Sequence, residues 1–364
     1  MTDKPSNASR QNSAVRGRGT GLQTPNRFEQ LYVEDDFEHF GPDEELPDSI
    51  STQYLPDASQ SIVSENNSPD ISFRYSVNPY RGCAHGCAYC YARPSHEYLG
   101  MSAGLDFETK IMVKHDAPQL FRRWLSRKGY QPEQVVFSGV TDCYQLAERH
   151  FGLTRGCLQV ACEARQPIGI ITKNAMVTRD LDVLAEMAAH KTISVMISIT
   201  TLDKQLAHTM EPRTSPPAGR LKAIAALKAA GVPVGVLVAP IIPGLNDSEM
   251  PAILEAAAEA GAVTASYTLL RLPLNVEPIF VEWLHRTQPS HAERVMSRIQ
   301  STRGGAMSNS QFGQRMRGEG AIAEQIKQTF KVFAKKYGLD RKLPKPNVND
   351  FRRPDAAGEQ GWLF

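Results

Sequence analysis

The chain has 364 residues, 41% of them hydrophobic, which is enough for one large domain with tails. Its 41 basic and 39 acidic residues nearly cancel to a net +2, so composition does not point to a strongly polyanionic partner, although a local basic groove is compatible with it. No apolar run of about 18 residues occurs and the N-terminus lacks an apolar signal-peptide core, so no membrane partner or export is expected and a cytoplasmic protein is.

Residues 1–66 are rich in Ser, Asn, Asp, Glu, Gln and Pro, with a small basic patch (Arg16, Arg18) followed by an acidic one (Asp35, Asp36, Glu38). This composition predicts a segment that is mostly disordered or draped on the surface, with Phe28, Leu31, Tyr32, Val33 and Phe37 available for local docking. From there strands and helices alternate. Arg74–Val77, Val135–Phe137, Ile168–Ile171, Ile193–Ile199, Val232–Ile242 and Tyr267–Leu270 read as six strands. Their near-continuous apolar character suits a parallel sheet buried on both faces. Between them Leu181, Leu184 and Met187, then Leu221, Ile224 and Leu227, recur at helical spacing, and Gly231 follows as a stop. Asn246 with Glu249 resembles a capped helix start, and Gly261 its end. Six units are too few for a closed eight-stranded barrel, so residues 67–275 are expected to form an open partial barrel of α/β class. Residues 276–364 lose the rhythm and are expected to form a helical extension, with helices near 289–300 and 319–336. The terminal Trp362-Leu363-Phe364 is expected to dock back on the domain.

Three of the six cysteines fall within eight residues, as Cys83-x3-Cys87-x2-Cys90. Such crowding reads as metal chemistry in a reducing compartment rather than a disulfide framework. Gly82 and Gly86 relieve backbone crowding, and thiolates suit iron–sulfur clusters or zinc. Structural zinc normally takes four protein ligands. Here the local count is three, since His85, between two ligands, is expected to point away. Three thiolates on a [4Fe–4S] cluster leave one iron open, able to chelate the amino and carboxylate groups of S-adenosylmethionine and pass an electron to its sulfonium.

The triad, with Tyr89 just before its third cysteine, resembles the signature of the radical S-adenosylmethionine superfamily, and the strand–helix series over about 71–275 is similar to that family's partial (β/α)6 barrel. Asn78-Pro79-Tyr80-Arg81-Gly82-Cys83 and Ser138-Gly139-Val140-Thr141-Asp142 resemble the branch that contains spore photoproduct lyase. The resemblance implies a [4Fe–4S] cluster on Cys83, Cys87 and Cys90, S-adenosylmethionine as cofactor, and a flavodoxin or ferredoxin as reductant. It implies cofactor contacts from Tyr89, Ser138, Gly139 and Asp142, from Lys173 to the carboxylate, from Ser198, and from Ile241 or Ile242 against the adenine. It also raises Cys143 as a hydrogen-atom donor, and a nucleic acid as substrate.

Each residue has a plainer reading beside this one. Asp142 could simply cap a strand-end turn, Lys173 could face solvent, and a hydroxyl such as Ser198 often ends a strand. Arg213 could grip the cofactor carboxylate bidentately or form an ion pair with Glu211. Cys157 and Cys162 read as buried small hydrophobes. Arg303, Arg315 and Arg317 with Phe312 read either as a nucleic-acid groove or as a solvated loop. A non-catalytic iron–sulfur sensor or electron carrier would need the cysteines but not the polar strand ends.

Overall fold

The computed structural model describes residues 17–24, 26 and 51–355. The docking expected of Phe28 to Phe37 and of Trp362-Leu363-Phe364 lies outside the described residues. Ten strands occur: β1 (Gln53–Pro56), β2 (Val63–Glu65), β3 (Tyr75–Val77), β4 (Tyr80–Arg81), β5 (Lys110–Val113), β6 (Val135–Phe137), β7 (Ile168–Thr172), β8 (Ile193–Ser198), β9 (Val234–Ile241) and β10 (Ala265–Leu269). The main sheet runs β10-β9-β8-β7-β6-β3-β2. Its six parallel strands, β3 and β6 to β10, are the six predicted, and β2 adds antiparallel at the β3 edge. A smaller sheet, β1-β5-β4, stands beside it.

The apolar strands are buried along nearly their whole length. Val135, Phe137, Ile168, Ile170, Val195, Ile197, Val234 and Val236 share one core with the crossover helices Leu153–Glu163, Leu181–Ala189, Pro217–Ala229 and Met250–Glu259. The register aligns strand ends, with Val77 opposite Phe137, Thr172 opposite Ile197, and Ser198 opposite Leu237. The residues that follow the strands therefore gather at one rim, where functional groups collect in parallel α/β folds. Gly231 stops its helix as expected: at φ 76° it lets Val232 N–H reach back to the Leu227 carbonyl at 3.0 Å.

Asn246 does not cap a helix. It is buried, its side-chain amide donates to the carbonyls of Thr200 (2.8 Å) and Pro240 (3.1 Å), and its Oδ1 accepts from Ile242 N–H at 2.6 Å. It thus ties the end of β8 to the end of β9, a demand that outweighs capping because those backbone groups have no water to turn to. Glu249 instead accepts from Thr201 Oγ1 and Leu202 N–H.

After β10 come helices Val276–Thr287, Ala292–Ser301 and Gly320–Lys336. The first lay outside the sequence expectation. It brings Phe280, Trp283 and Leu284 into a second core with Cys87, Ala88 and Tyr89. The outer edge of β10 is covered, since Ala265 N–H donates to Leu339 and Leu269 N–H to Met316. Among the described residues no helix is long and apolar enough to cross a membrane.

Candidate active site

The cysteine loop leaves β4 and ends at the short helix Arg93–Leu99. Gly82 (φ 77°) and Gly86 (φ 66°) take the left-handed conformation that only glycine adopts freely. The loop is fixed from several directions. Cys83 N–H donates to the Phe107 carbonyl at 2.8 Å and Ala88 N–H to the Met210 carbonyl at 3.0 Å. The fully buried guanidinium of Arg93 donates twice to the Cys87 carbonyl, at 2.8 and 3.1 Å, and pairs with buried Glu108. Buried Gln145 works like a piece of strand: its Oε1 accepts from Ala84 N–H and its Nε2 donates to the Gly82 carbonyl, both at 3.0 Å.

Gln145→Ala leaves two buried backbone groups without partners, and is expected to cost about 2 kcal/mol in denaturant unfolding. An unfolding midpoint equal to that of the unaltered protein would show that the amide is not needed to hold the loop.

Cys83 and Cys87 are buried and Cys90 half-buried. Burial pushes the Cys83 thiol up to about 12 and raises Cys87 and Cys90 as well. Metal binding at these residues must therefore displace protons. Three soft donors from one loop suit an iron–sulfur cluster. His85 is held elsewhere, as expected: its ring is buried with Nδ1 3.5 Å from Asp142 Oδ2 and Nε2 3.2 Å from Asn174 Nδ2. A carboxylate only accepts, so Nδ1 carries the proton and Nε2 accepts from the amide. Burial lowers the pKa of His85, which keeps the ring neutral. It is not available as a fourth ligand of the kind structural zinc takes.

The strand ends surround this loop. Asp142 does not stand free. Its Oδ1 accepts from Tyr144 N–H (2.9 Å) and Thr172 Oγ1 (2.8 Å), and its Oδ2 from Lys173 N–H (2.8 Å). It clasps the end of β6 to the end of β7 and touches His85, so the capping reading describes its position. Lys173 is placed centrally: its ammonium lies 5.7 Å from the Tyr89 ring centre and makes no hydrogen bond or ion pair among the described residues. Ser198 is buried at the end of β8, its carbonyl accepting from Arg220 at 3.0 Å. Ser138, at φ 71°, accepts from Cys143 N–H at 2.8 Å, and the Gly139 carbonyl accepts from the Tyr91 hydroxyl at 2.9 Å.

Arg213, Cys143 and Ile241 lie further from the cysteine thiols in their contacts than Lys173 and Tyr89 do. Arg213 neither pairs with Glu211 nor faces the loop: its guanidinium donates to the Gly17 carbonyl and Thr52 Oγ1. Glu211 is instead buried with Arg220, and accepts from Thr200 and the Tyr89 hydroxyl. Burial opposes its ionisation, but Arg220, Lys173 and the two hydroxyls together hold its carboxyl below the ordinary value of 4.5. Its stabilising contribution is therefore complete above that pH and is lost as pH falls through the lower folded value. Cys143 is fully buried in the main core, its N–H held by Ser138 Oγ, and burial raises its thiol well above the ordinary range. Ile241 packs into the main core, while Ile242 shares the second core with Cys87 and Tyr89. The two side chains thus face opposite ways, Ile242 toward the cysteine loop.

At the mouth, Arg303 and Arg317 are spent on backbone carbonyls and Arg315 pairs with Asp70. Arg271, which the sequence reading passed over, lies over the half-exposed Tyr91 ring at 5.8 Å and has no carboxylate partner among the described residues. Being the first polar residue past β10 was its only signal.

The sequence profile described as the Radical SAM superfamily matches residues 77–257. An uncharacterised protein of Mycobacterium tuberculosis is 37% identical over 230 residues, 63% of this chain and 68% of that one. An uncharacterised protein of Methanocaldococcus jannaschii is 27% identical over 225 residues, 62% of this chain and 80% of that one. Among solved structures, a spore photoproduct lyase variant superposes with a TM-score of 0.59 at 15% identity, covering 78% of this chain and 79% of that one. Another, with bound AdoMet and dinucleoside spore photoproduct, gives 0.57 at 15% identity, covering 78% of each chain. At that identity the likeness is one of fold. With the six-stranded partial barrel, the three-thiol loop and the profile in agreement, the chain belongs to the radical SAM superfamily of enzymes.

Proposed function

We propose that this enzyme reductively cleaves S-adenosylmethionine at a [4Fe–4S] cluster on Cys83, Cys87 and Cys90, and that its substrate is a nucleic acid. The donor set carries the reading: three buried thiols in one loop, with the neighbouring His85 committed to Asp142 and Asn174. When bound, the cluster and S-adenosylmethionine supply a 5′-deoxyadenosyl radical for hydrogen abstraction.

The chain's own residues bind and orient. Among the described residues the ammonium of Lys173 is a cation beside the loop without a hydrogen-bond or ion-pair partner, suited to the cofactor carboxylate. Ser138, Gly139 and Ser198 offer polar groups at the ends of β6 and β8, and Tyr89 with Ile242 forms the apolar wall. Glu211 and Arg220 hold Tyr89 in place. Asp142 positions Lys173 through its backbone. The electron comes from outside, from a flavodoxin or ferredoxin.

The substrate class rests on the mouth. Arg271 over Tyr91, and Arg315 4.4 Å from the exposed Phe312 ring, place cations beside aromatic faces. Phosphates and unstacked bases are bound by this pairing. A structural neighbour, a spore photoproduct lyase variant, was solved with bound AdoMet and dinucleoside spore photoproduct.

The test is anaerobic reconstitution, then dithionite, S-adenosylmethionine and deuterated single-stranded oligonucleotides. Mass spectrometry is expected to find 5′-deoxyadenosine that carries deuterium. No product above a protein-free control would overturn the radical reading and leave an iron–sulfur carrier. Product that never carries deuterium from DNA or RNA would overturn the substrate class.

A further inference from the structure

Residues 17–24 and 26 are not loosely draped. Arg18, Gly19, Thr20, Gly21, Leu22, Thr24 and Asn26 are buried, and the segment crosses the back of the cysteine loop. Gly19 lies so close that a Cβ there would come 1.7 Å from the Gly86 carbonyl oxygen and 3.2 Å from Ala88 N, the residues that flank Cys87. Its N–H donates to Glu108 Oε2 at 3.1 Å, the same carboxylate that pairs with Arg93 behind Cys87. Its carbonyl accepts from Arg286 at 3.3 Å, reached from the helix Val276–Thr287.

The crossing is pinned on both sides of that point. Upstream, Arg213 holds the Gly17 carbonyl, and Arg18 donates to the Glu108 carbonyl and to Thr52. Downstream, Leu105 N–H donates to the Leu22 carbonyl, and the Asn26 amide donates to the Glu97 carbonyl. A Cβ on Gly104 would meet the Leu22 oxygen at 2.1 Å, a second place where only glycine lets the two backbones touch. Two glycine contacts and anchors on five other segments are more than a surface strand needs for its own sake.

We propose that this crossing is a strap that positions the Cys87 segment and closes it against solvent, with Gly19 as its positioning residue and Arg286 as its buckle. The inference rests on the cluster reading above. With the strap seated, the main chain at Gly86–Ala88 has one arrangement and water has no path to it from that side. With the strap lifted, the Glu108 carboxylate loses the Gly19 N–H, and the loop keeps Arg93, Gln145, the Phe107 and Met210 carbonyls and the Arg213 N–H but loses its cover on that side. The strap acts on how long the loop keeps its metal, not on the chemistry at the mouth.

Two variants of the full chain test this, Gly19→Val and Arg286→Ala, with Lys327→Ala on a distant exposed helix face as control. Each is reconstituted anaerobically and challenged with a ferrous-iron chelator, and release is followed by absorbance. Amide exchange over residues 82–90 is measured on cluster-free protein, and melting temperature is recorded. Release is expected to be about tenfold faster for Gly19→Val and about threefold faster for Arg286→Ala, with exchange raised over 82–90 and the melting temperature of Arg286→Ala unchanged. Release and exchange at the unaltered rate in a folded variant overturn the strap. If Gly19→Val does not fold, Arg286→Ala, which adds no bulk, decides alone. Failure of the unaltered protein to take up iron overturns the cluster reading instead, and the exchange measurement still judges the strap.

Discussion

Cys87→Ala is expected to abolish iron–sulfide incorporation and to reduce 5′-deoxyadenosine formation to the protein-free background while the protein stays folded. The two halves of this expectation have separate causes. Chemistry is lost because two thiols cannot hold the cluster in the arrangement that leaves a single iron open. Folding is kept because the main chain at Cys87 does not depend on the sulfur: its carbonyl accepts from Arg93, and the next residue donates to Met210. Removing one buried sulfur is a small cavity change, about 1–2 kcal/mol. Circular dichroism and thermal melting measure the second half, and iron, sulfide and product analysis the first. Product formation by Cys87→Ala above background would separate the chemistry from the triad altogether.

Arg93→Met is expected to do the reverse, destabilising the fold while leaving all three thiols. Arg93 and Glu108 are both fully buried. The guanidinium also donates to the carbonyls of Cys87, Ala103 and Gly104. Methionine matches the stem in length but leaves a buried carboxylate without its cation, a loss of about 3–5 kcal/mol. Because the damage is the stranded charge, Glu108→Gln should cost far less in the Arg93→Met background than alone. Equal costs in both backgrounds, from denaturant unfolding of the four proteins, would show that the two side chains act independently.

Much of the frame could be read from the chain before its coordinates. β7, β8 and β9 are apolar on both faces, a pattern that needs no partner to be recognised, and their alternation with helices led to six parallel strands. The triad declared itself through spacing, and the place of Lys173 at the end of β7 could be read from the apolar run before it. What escaped has a common physical cause. Gln145 meets Ala84 across 61 positions, and Gly19 meets Glu108 across 89. Such pairs leave no periodicity, and each partner alone looks ordinary. β4 has two residues, too short for any alternation to register. Ile241 and Ile242 differ by one step of strand parity, and apolar composition cannot decide which of two adjacent isoleucines faces the loop. The alternative pairing of Arg213 with Glu211 does not form, because buried Arg220 meets that carboxylate instead. The Asp142 carboxylate joins the ends of β6 and β7 through contacts that no local spacing announces.

The cysteine loop spans nine positions, 82–90, yet the groups that shape it come from Gly19, Phe107, Gln145, Met210 and Arg286. The consequence is temporal. A nascent chain displays all three thiols early in synthesis, but the groups that fix their geometry emerge up to about two hundred residues later, a delay of about ten seconds or more at ordinary elongation rates. Until Met210 and Arg286 emerge the thiols sit on an incompletely anchored loop, open to oxidation and to scavenging by other metals. Iron delivery therefore belongs to the finished chain, and a pulse of labelled iron should appear in released protein and not on ribosomes that carry its first half.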